Sequence, residues 1–190
     1  MEVMVFHSGK CGNAKNCLYP YSGTGSAPDK LKKLFCYDHT FIRFKNNYRS
    51  KENFQEATVA TLDNDHSDDP ADWIPIAAIP GLFPGVPCVV STSRHHMKQK
   101  GNRSPRPRYH VAFQIDTIQS PDEYTAFLTR VQSLFPFFDG KALDAGRFFG
   151  NPDTEVYTFP GHRTLTDFIE ELEESKFMAD MEEAASAARF

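Results

Sequence analysis

The sequence predicts an α+β fold with antiparallel strands, and three observations support this class. The 190 residues match the size of a single domain, and 40% of them are hydrophobic, which is enough to build a packed core. The apolar residues change along the chain between the two-residue period of strands and the helical period. Two adjacent strand candidates are joined by a long polar loop, as in a hairpin, and not by a helix, as in a parallel crossover.

The first half of the chain predicts short strands with one helix among them. Strands are expected at residues 1–6, 39–45 and 58–62, and a helix is expected at residues 29–36. A loop rich in Gly, Ser, Asn and Pro follows the first strand. Acidic residues follow the strand at 58–62 at once, so they are expected at a strand end and in the polar loop 63–73.

The second half predicts a hairpin between two helical regions. Pro75 and Pro80 limit residues 73–83 to a short helical turn. Ser120 begins a helix with unusual clarity, because Pro follows at the first helical position and Glu stands three residues after the cap. The remaining predictions are strands at 87–93, 108–115 and 155–159, a strand or turn at 137–147, and a helix from 165 to the C-terminus.

Charge is distributed unevenly along the chain. Residues 166–190 carry a net charge of −6 within a total of −4, so the rest of the chain is slightly basic. We therefore expect a domain at 1–165, followed by an acidic helix at 166–190 that could begin a linker to a further domain. Residues 94–108 contain six Lys or Arg and no acid, which favours a polyanionic partner over a merely solvated loop tip.

The cysteines and the N-terminus bear on the compartment. No basic and then apolar pattern of a signal peptide begins the chain, so a cytoplasmic location is expected, with free thiols. Cys11, Cys17, Cys36 and His39 could together offer ligands to zinc. Their spacing is loose, because structural zinc sites usually contain a tight pair of cysteines two residues apart, and isolated thiols are the alternative.

The sharpest local feature is the pair Asp63 and Asp65 at the end of a strand. Residues i and i+2 of a strand point to the same side, about 7 Å apart, so the two carboxylates repel each other unless a cation lies between them. Mg²⁺ or Mn²⁺ suits such oxygen ligands. An acidic solvated loop and a nucleotide-sugar transferase remain alternatives, whereas a calcium loop is excluded by Asp68 and Ile74 at its diagnostic positions.

The hairpin offers a second set of polar groups. The large apolar residues of 108–115 share one face, so His110 lies on the other. Ser91 and Ser93 share a face of the partner strand, and hydroxyl and imidazole groups together suit phosphate oxygens. The alternative is a histidine that is hydrogen-bonded within a half-buried sheet.

A third set follows at residues 137–150. Asp139 or Asp144 could complete a cluster of three carboxylates, and Arg147 could bind a triphosphate with two parallel hydrogen bonds. Since Asp-Gly is a strong turn dipeptide, Asp139 could instead serve only the turn.

In this order, the motifs resemble those of the archaeo-eukaryotic primase superfamily, most closely the primase-polymerases of phages and mobile elements. Asp63 and Asp65 match its first motif, Ser93 and His110 its second, and Asp139 its third, with Arg147 eight residues later. The basic loop separates Ser93 from His110, which are usually close together. The resemblance covers residues 39–160 and implies an RRM-like antiparallel sheet with an N-terminal α/β portion against it.

The resemblance also implies a function, a DNA-directed primase-polymerase that transfers nucleotides to a 3'-hydroxyl on a single-stranded DNA template. Asp63, Asp65 and Asp139, with Asp144 as the alternative third acid, would hold two Mg²⁺ or Mn²⁺ ions. Ser91, Ser93, His110 and Arg147 would bind the NTP or dNTP. The template or primer would contact Arg49, Arg94, Lys98, Lys100, Arg103, Arg106 and Arg108. Such proteins often carry a helicase after this domain and act in the cytoplasm of a bacterial host.

Three other classes compete with this interpretation. A non-catalytic RRM-like module would bind single-stranded nucleic acid through exposed aromatic residues. A metal-dependent nucleotide-sugar transferase would be indifferent to DNA. An HUH-type nuclease needs two histidines separated by one residue on a strand, and the adjacent pair His95 and His96 lacks that form.

Overall fold

A five-stranded antiparallel sheet forms the centre of the fold, with strand order β4-β5-β7-β6-β8. The computed structural model describes residues 1–65 and 67–187, with side chains up to residue 179. The strands of this sheet are β4 (Ile42–Phe44), β5 (Phe54–Asp65), β6 (Cys88–Thr92), β7 (Arg108–Ile118) and β8 (Val156–Phe159). The α+β class and the antiparallel pairing predicted from the sequence are confirmed.

An N-terminal unit packs against one end of this sheet. It consists of a small antiparallel sheet of order β2-β1-β3 and one helix. Its elements are β1 (Val3–His7), β2 (Tyr21–Gly25), α1 (Pro28–Phe35) and β3 (His39–Thr40). Val5, Leu31 and Phe35 from this unit form a buried cluster with Val89 and Ala112 of the central sheet.

The other face of the central sheet carries the main core. Helices α3 (Pro121–Leu134) and α4 (Leu165–Ala187) cover it, and a short helix, α2 (Ile79–Leu82), closes one side. Tyr109, Val111 and Phe113 of β7 point into this core, as their alternation predicts. The opposite face of the same strands is covered by the N-terminal unit at one end and is open at the other, where a cleft forms.

Three expectations for the strands need correction. Residues 21–25, which were expected in the loop after the first strand, form β2 and pair with β1. Residues 39–45 form two strands, β3 and β4, in different sheets, because the hydroxyl of Thr40 accepts the amide of Ile42 at 3.2 Å and interrupts the strand pairing. The strand predicted at 58–62 is longer: β5 includes Asp63 and Asp65, which were expected in a polar loop. The acids therefore lie on the sheet itself and inherit its alternation.

The helix predictions are confirmed where the structure describes the chain. The Ser120 side chain accepts the amide of Glu123 and caps α3. Helix α4 begins at Leu165, and its predicted continuation to residue 190 lies partly outside the described residues. Residues 137–147 contain turns and no strand. Among the described helices, none is long and apolar enough to cross a membrane.

Candidate active site

The register of three strands places an acid, an imidazole and a hydroxyl side by side. Asp63 on β5 lies opposite His110 on β7, and His110 lies opposite Ser91 on β6. Neighbouring strands are about 5 Å apart, so the three residues form a row across the open face of the sheet. Tyr109 and Val111, one position to either side of His110 and on the opposite face, anchor this row by packing into the core.

A cleft of about 240 Å³ opens beside this row. It brings together residues of the first two sequence motifs, Arg147 of the third set and residues of the basic loop, whereas Asp139 lines a neighbouring cavity. Its walls include Asp63, Asp65, Ser93, Arg94, Lys100, Arg108, His110 and Arg147, with Phe148, Phe149 and Gly150. The resemblance implied that Arg147 would join the two aspartates, whereas the sequence did not predict that Arg108 and residues 148–150 would line the same cavity.

The surroundings of Asp63 disfavour its negative charge. Burial raises the pKa of its carboxyl from 3.8 to about 6, and the negative charges of Asp139 and Asp65 add to this effect. The nearest imidazole nitrogen, Nε2 of His110, lies 3.7 Å from its Oδ1 atom. A carboxylate whose ionisation is this unfavourable is typical of a functional site, where a bound cation or a proton compensates its charge.

His110 is neutral at physiological pH. Burial lowers its pKa from 6.5 to about 3, and the positive charges of Arg147 and Lys100 lower it further. Its ring packs on Phe149, with 4.5 Å between the ring centroids. A neutral imidazole has one N–H group, which can donate to a phosphate oxygen without adding a second positive charge to the cleft.

The Asp65 carboxylate is bound by three cations. Its Oδ1 accepts a hydrogen bond of 2.5 Å from Nε of Arg108, and its Oδ2 lies 3.0 Å from Nζ of Lys100 and 3.4 Å from a guanidinium nitrogen of Arg103. Partial burial raises the pKa of Asp65, but the hydrogen bonds from Lys100 and Arg108 outweigh that effect and hold the pKa below its usual value. Asp63 and Asp65 thus have opposite electrostatic environments two residues apart.

The structure distinguishes the two candidates for the third acid. The amide of Asp139 donates to the carbonyl of Asp63 at 2.8 Å, so this residue lies beside the first motif. Its side chain also accepts the amide of Lys141, as expected for a turn aspartate. Neither acid lines the cleft itself. Asp139 lines a neighbouring cavity that it shares with Asp65, whereas Asp144 pairs with Arg147 at 3.1 Å and lines a cavity without Asp63 or Asp65, which favours Asp139 for a role next to Asp63.

The donor set suits a hard divalent cation in type but does not enclose one. Three carboxylates with mutually unfavourable charges are the ligands that Mg²⁺ and Mn²⁺ prefer. In the described residues, no three Asp, Glu, His or Cys side chains come together closely enough to form a metal site. The side chain of Asp65 accounts for part of this gap, because it is turned toward Lys100, Arg103 and Arg108.

The zinc ligands considered from the sequence are not brought together. The thiol of Cys36 donates to the carbonyl of Lys33, while Cys17 and Cys11 lie near Arg49 and Arg94 respectively. His39 is buried, and its ring stacks on Phe35. These four residues therefore have separate structural surroundings, and no group of three metal-binding side chains forms among the described residues.

Two of the arginines assigned to DNA have structural roles instead. Arg106 and Arg108 are each 1% exposed, and they form ion pairs with Asp68 and Asp65 respectively. A guanidinium that is buried in this way cannot reach a phosphate on the DNA backbone. The basic pattern indicated attraction to an anion correctly but gave no sign that the anion would be a carboxylate of the same chain.

Arg49 and Arg94 hold the loops that form the walls of the cleft. The Arg49 guanidinium lies 4.5 Å from the ring centre of Phe148 and donates to the carbonyl of Gly146 at 2.6 Å. Arg94 donates to the carbonyl of Gly150 at 3.1 Å. Both arginines were predicted to contact DNA, and in the structure both fix the segment that carries Arg147.

Sequence reasoning missed a buried carboxylate that supports the same segment. Asp38 is fully buried, and its two oxygens accept the amides of Gly12 and Asn13 at 2.8 Å each. A Cβ atom on Gly150 would lie 2.6 Å from an oxygen of Asp38, so only glycine fits there. No local pattern in the sequence connects Asp38 with Gly150, because the two positions are more than one hundred residues apart.

Comparisons with known proteins give one structural likeness. No protein-family model matches the chain, and no curated protein matches it. The AEP domain of the primase-polymerase (PrimPol) of cyanophage S-2L is similar in structure, with a TM-score of 0.47 and 10% sequence identity, over 89% of this chain and 88% of that one. It belongs to the kind of protein that the motifs resemble, but the likeness is loose, and the roles of the residues rest on the geometry of the site.

Proposed function

We propose that this chain is the catalytic domain of a DNA-directed primase-polymerase. The observation that carries the proposal is the meeting of Asp63, His110 and Arg147 in one cleft, although they come from three separate parts of the chain. This combination places an acidic centre beside groups that bind phosphate. Transfer of a nucleotide needs such positioning and charge neutralisation more than any other chemistry.

The basic and neutral groups of the cleft suit an incoming NTP or dNTP. Arg147 can bind two phosphate oxygens at once, while the neutral His110 donates a single hydrogen bond. Ser93 lies at the mouth of the cleft, where its amide donates to the carbonyl of Arg108 at 2.9 Å and fixes its position. Ser91, next to His110 in the sheet, is 7% exposed and supports the imidazole from the side.

Asp63, Asp65 and Asp139 are the residues that would hold two Mg²⁺ or Mn²⁺ ions. When bound, the ions would neutralise phosphate charge and favour ionisation of the attacking 3'-hydroxyl. The chain itself contributes the orientation of these carboxylates. The strand alternation aims Asp63 and Asp65 at the same side, and the bond between Asp139 and the backbone of Asp63 fixes the third position.

The basic loop suits a single-stranded DNA template and its primer. Lys100 and Arg103 have side chains that are 49% and 57% exposed; Lys100 lines the cleft and Arg103 lines the neighbouring cavity that contains Asp139. Exposed cations of this kind bind the backbone of a nucleic acid without reading its sequence. Lys98 belongs to the same loop, whereas Arg106 and Arg108 shape it from inside.

Nucleotide incorporation on single-stranded DNA tests the proposal. The wild type should extend an annealed primer in Mg²⁺ or Mn²⁺, and product without a primer would add priming activity. Asp63→Asn and Asp65→Asn should abolish the product, while Asp116→Asn, an exposed acid elsewhere on β7, should leave it unchanged. Extension by either of the first two variants at the wild-type rate would contradict the proposal.

A non-catalytic nucleic-acid-binding module is a less suitable candidate. Such a module would present aromatic rings on the open face of its sheet for base stacking. Here, the open face presents the row of Asp63, His110 and Ser91. The half-buried carboxylate of Asp63, with its raised pKa, contributes nothing to the affinity for a polyanion, so a binding module gives no reason for it.

A further inference from the structure

The two oxygens of the Asp65 carboxylate have partners of different kinds. Oδ1 is bound by Arg108, whose side chain is 2% exposed. Oδ2 is bound by Lys100 and Arg103, whose side chains are about half exposed. One oxygen is therefore bound by a buried side chain, and the other is bound by two side chains that reach it from the solvent-exposed side.

Arg108 is a permanent anchor for the basic loop. Besides Asp65, its guanidinium donates to the carbonyls of His95, Lys98 and Ser104 at 3.1, 2.8 and 3.2 Å. These bonds define the course of the loop around the carboxylate. Replacement of the cations at Oδ2 of Asp65 can therefore leave the loop in place and move only the side chains on its outer side.

Lys100 and Arg103 are suited to leave Asp65. They pair with each other through backbone hydrogen bonds across a tight turn that contains Gly101, so one movement of the turn carries both cations. The Asp65 side chain is only 9% exposed, but both cations are about half exposed and regain water when they leave, so a divalent cation can compete with them for the same oxygen. Once such an ion binds, its charge repels both side chains.

We propose that Lys100 and Arg103 occupy the cation position at Oδ2 of Asp65 and that a divalent metal ion displaces them toward the phosphates of the DNA or nucleotide. This inference rests on the proposed function, because it assumes that Asp65 is a metal ligand. Binding of metal and binding of polyanion then assist each other, and the assistance is reciprocal by thermodynamic linkage. The ion pairs in the structure also explain why the carboxylates do not form a closed metal site.

Direct measurement of Mn²⁺ binding, by electron paramagnetic resonance of the free ion, tests the competition without any activity. Lys100→Met removes the competing ammonium but keeps the aliphatic stem. It should bind Mn²⁺ about two- to fivefold more tightly than the wild type, the range expected for loss of one ion pair whose cation is half exposed. Lys98→Met removes the same charge from the same loop. It should change the Mn²⁺ affinity less, because Lys98 contacts Arg108 through its backbone carbonyl and does not pair with Asp65 through its ammonium group.

Single-stranded DNA affinity gives the second readout. Addition of Mn²⁺ should strengthen DNA binding by the wild type, and the Lys100→Met/Arg103→Met variant should lose most of this increase. Asp63→Asn, with both loop cations intact, controls for effects of Mn²⁺ on the DNA itself.

The outcomes separate this inference from the proposed function. Mn²⁺ binding that depends on Asp63, together with unchanged or weaker Mn²⁺ affinity in Lys100→Met, would overturn the displacement and leave the metal site standing. An effect of Lys98→Met equal to that of Lys100→Met would also overturn it, because general charge would then explain both. No Mn²⁺ binding that depends on Asp63 would overturn both proposals.

Discussion

Asp63→Asn and Asp65→Asn should change the free energy of unfolding of the metal-free protein in opposite directions. Asp63 carries an unfavourable charge, because burial and the charges of Asp139 and Asp65 raise its pKa to about 6. Asp65 carries a favourable charge, because Lys100 and Arg108 bind it. In EDTA at pH 7.5, Asp63→Asn should therefore stabilise the domain and Asp65→Asn should destabilise it.

The magnitude for Asp63 follows from its pKa. A rise from 3.8 to about 6 corresponds to about 3 kcal/mol of destabilisation when the carboxyl is ionised, at about 1.4 kcal/mol per pKa unit. Rearrangement of the surrounding groups reduces this cost, so Asp63→Asn should raise the free energy of unfolding by about 1 to 3 kcal/mol, which corresponds to a Tm rise of roughly 2 to 10 °C. Asp65→Asn should cost about 2 kcal/mol or more, since it leaves the buried Arg108 without its carboxylate.

The sign of the pH dependence provides the sharper test. As the pH falls through about 6, the native protein takes up a proton at Asp63, whereas the unfolded chain does so near 3.8. The cost of the charge is therefore complete above pH 6 and disappears below about pH 4. Urea denaturation from pH 4 to 8 should show the advantage of Asp63→Asn growing across this interval. A constant advantage, or the same direction of change in both variants, would refute the electrostatic account of the site.

Three further predictions concern the supporting residues. His39 is buried with a pKa lowered to about 4 by burial, so this residue alone should cost the native state about 2 to 3 kcal/mol between pH 6.5 and 4. In urea denaturation at the two pH values, His39→Asn should lack this contribution relative to the wild type; an equal change of stability with pH in both proteins would exclude it. Gly150→Ala should lower the free energy of unfolding by about 2 kcal/mol or more, because its Cβ would meet Asp38, and an unchanged Tm would contradict the close approach. Arg49→Met removes both the charge and the stacking on Phe148, so it should weaken nucleotide binding and leave the salt dependence of DNA binding unchanged; a salt dependence lowered by a log-log slope of about 1 would instead support the predicted DNA contact.

The sequence predicted the site where local rules decide the direction of a side chain. Alternation along a strand placed Asp63 and Asp65 on one side and His110 opposite the core-facing residues of β7, and the structure confirms both placements. The hairpin then predicted that β6 and β7 pair. The sequence did not predict the pairing of β5 with β7, which brings Asp63 opposite His110.

The remainder of the site depends on contacts between distant parts of the chain. A run of basic residues predicts attraction to an anion, but burial of Arg106 and Arg108 follows from the packing of the loop on β5 and β7. The meeting of Asp38 with Gly150 likewise appears only when the N-terminal unit is in place. Such contacts have no period and no short motif, so local reasoning cannot find them.

Incorporation of a single nucleotide opposite a defined template base tests the central claim most directly. A primed single-stranded template is offered one dNTP at a time in Mn²⁺, with the wild type, Asp63→Asn and the control Asp116→Asn. The account predicts one added nucleotide with the complementary dNTP, from the wild type and the control, and none from Asp63→Asn. Folded protein that binds the template but adds no nucleotide, or addition that survives Asp63→Asn, would contradict the account.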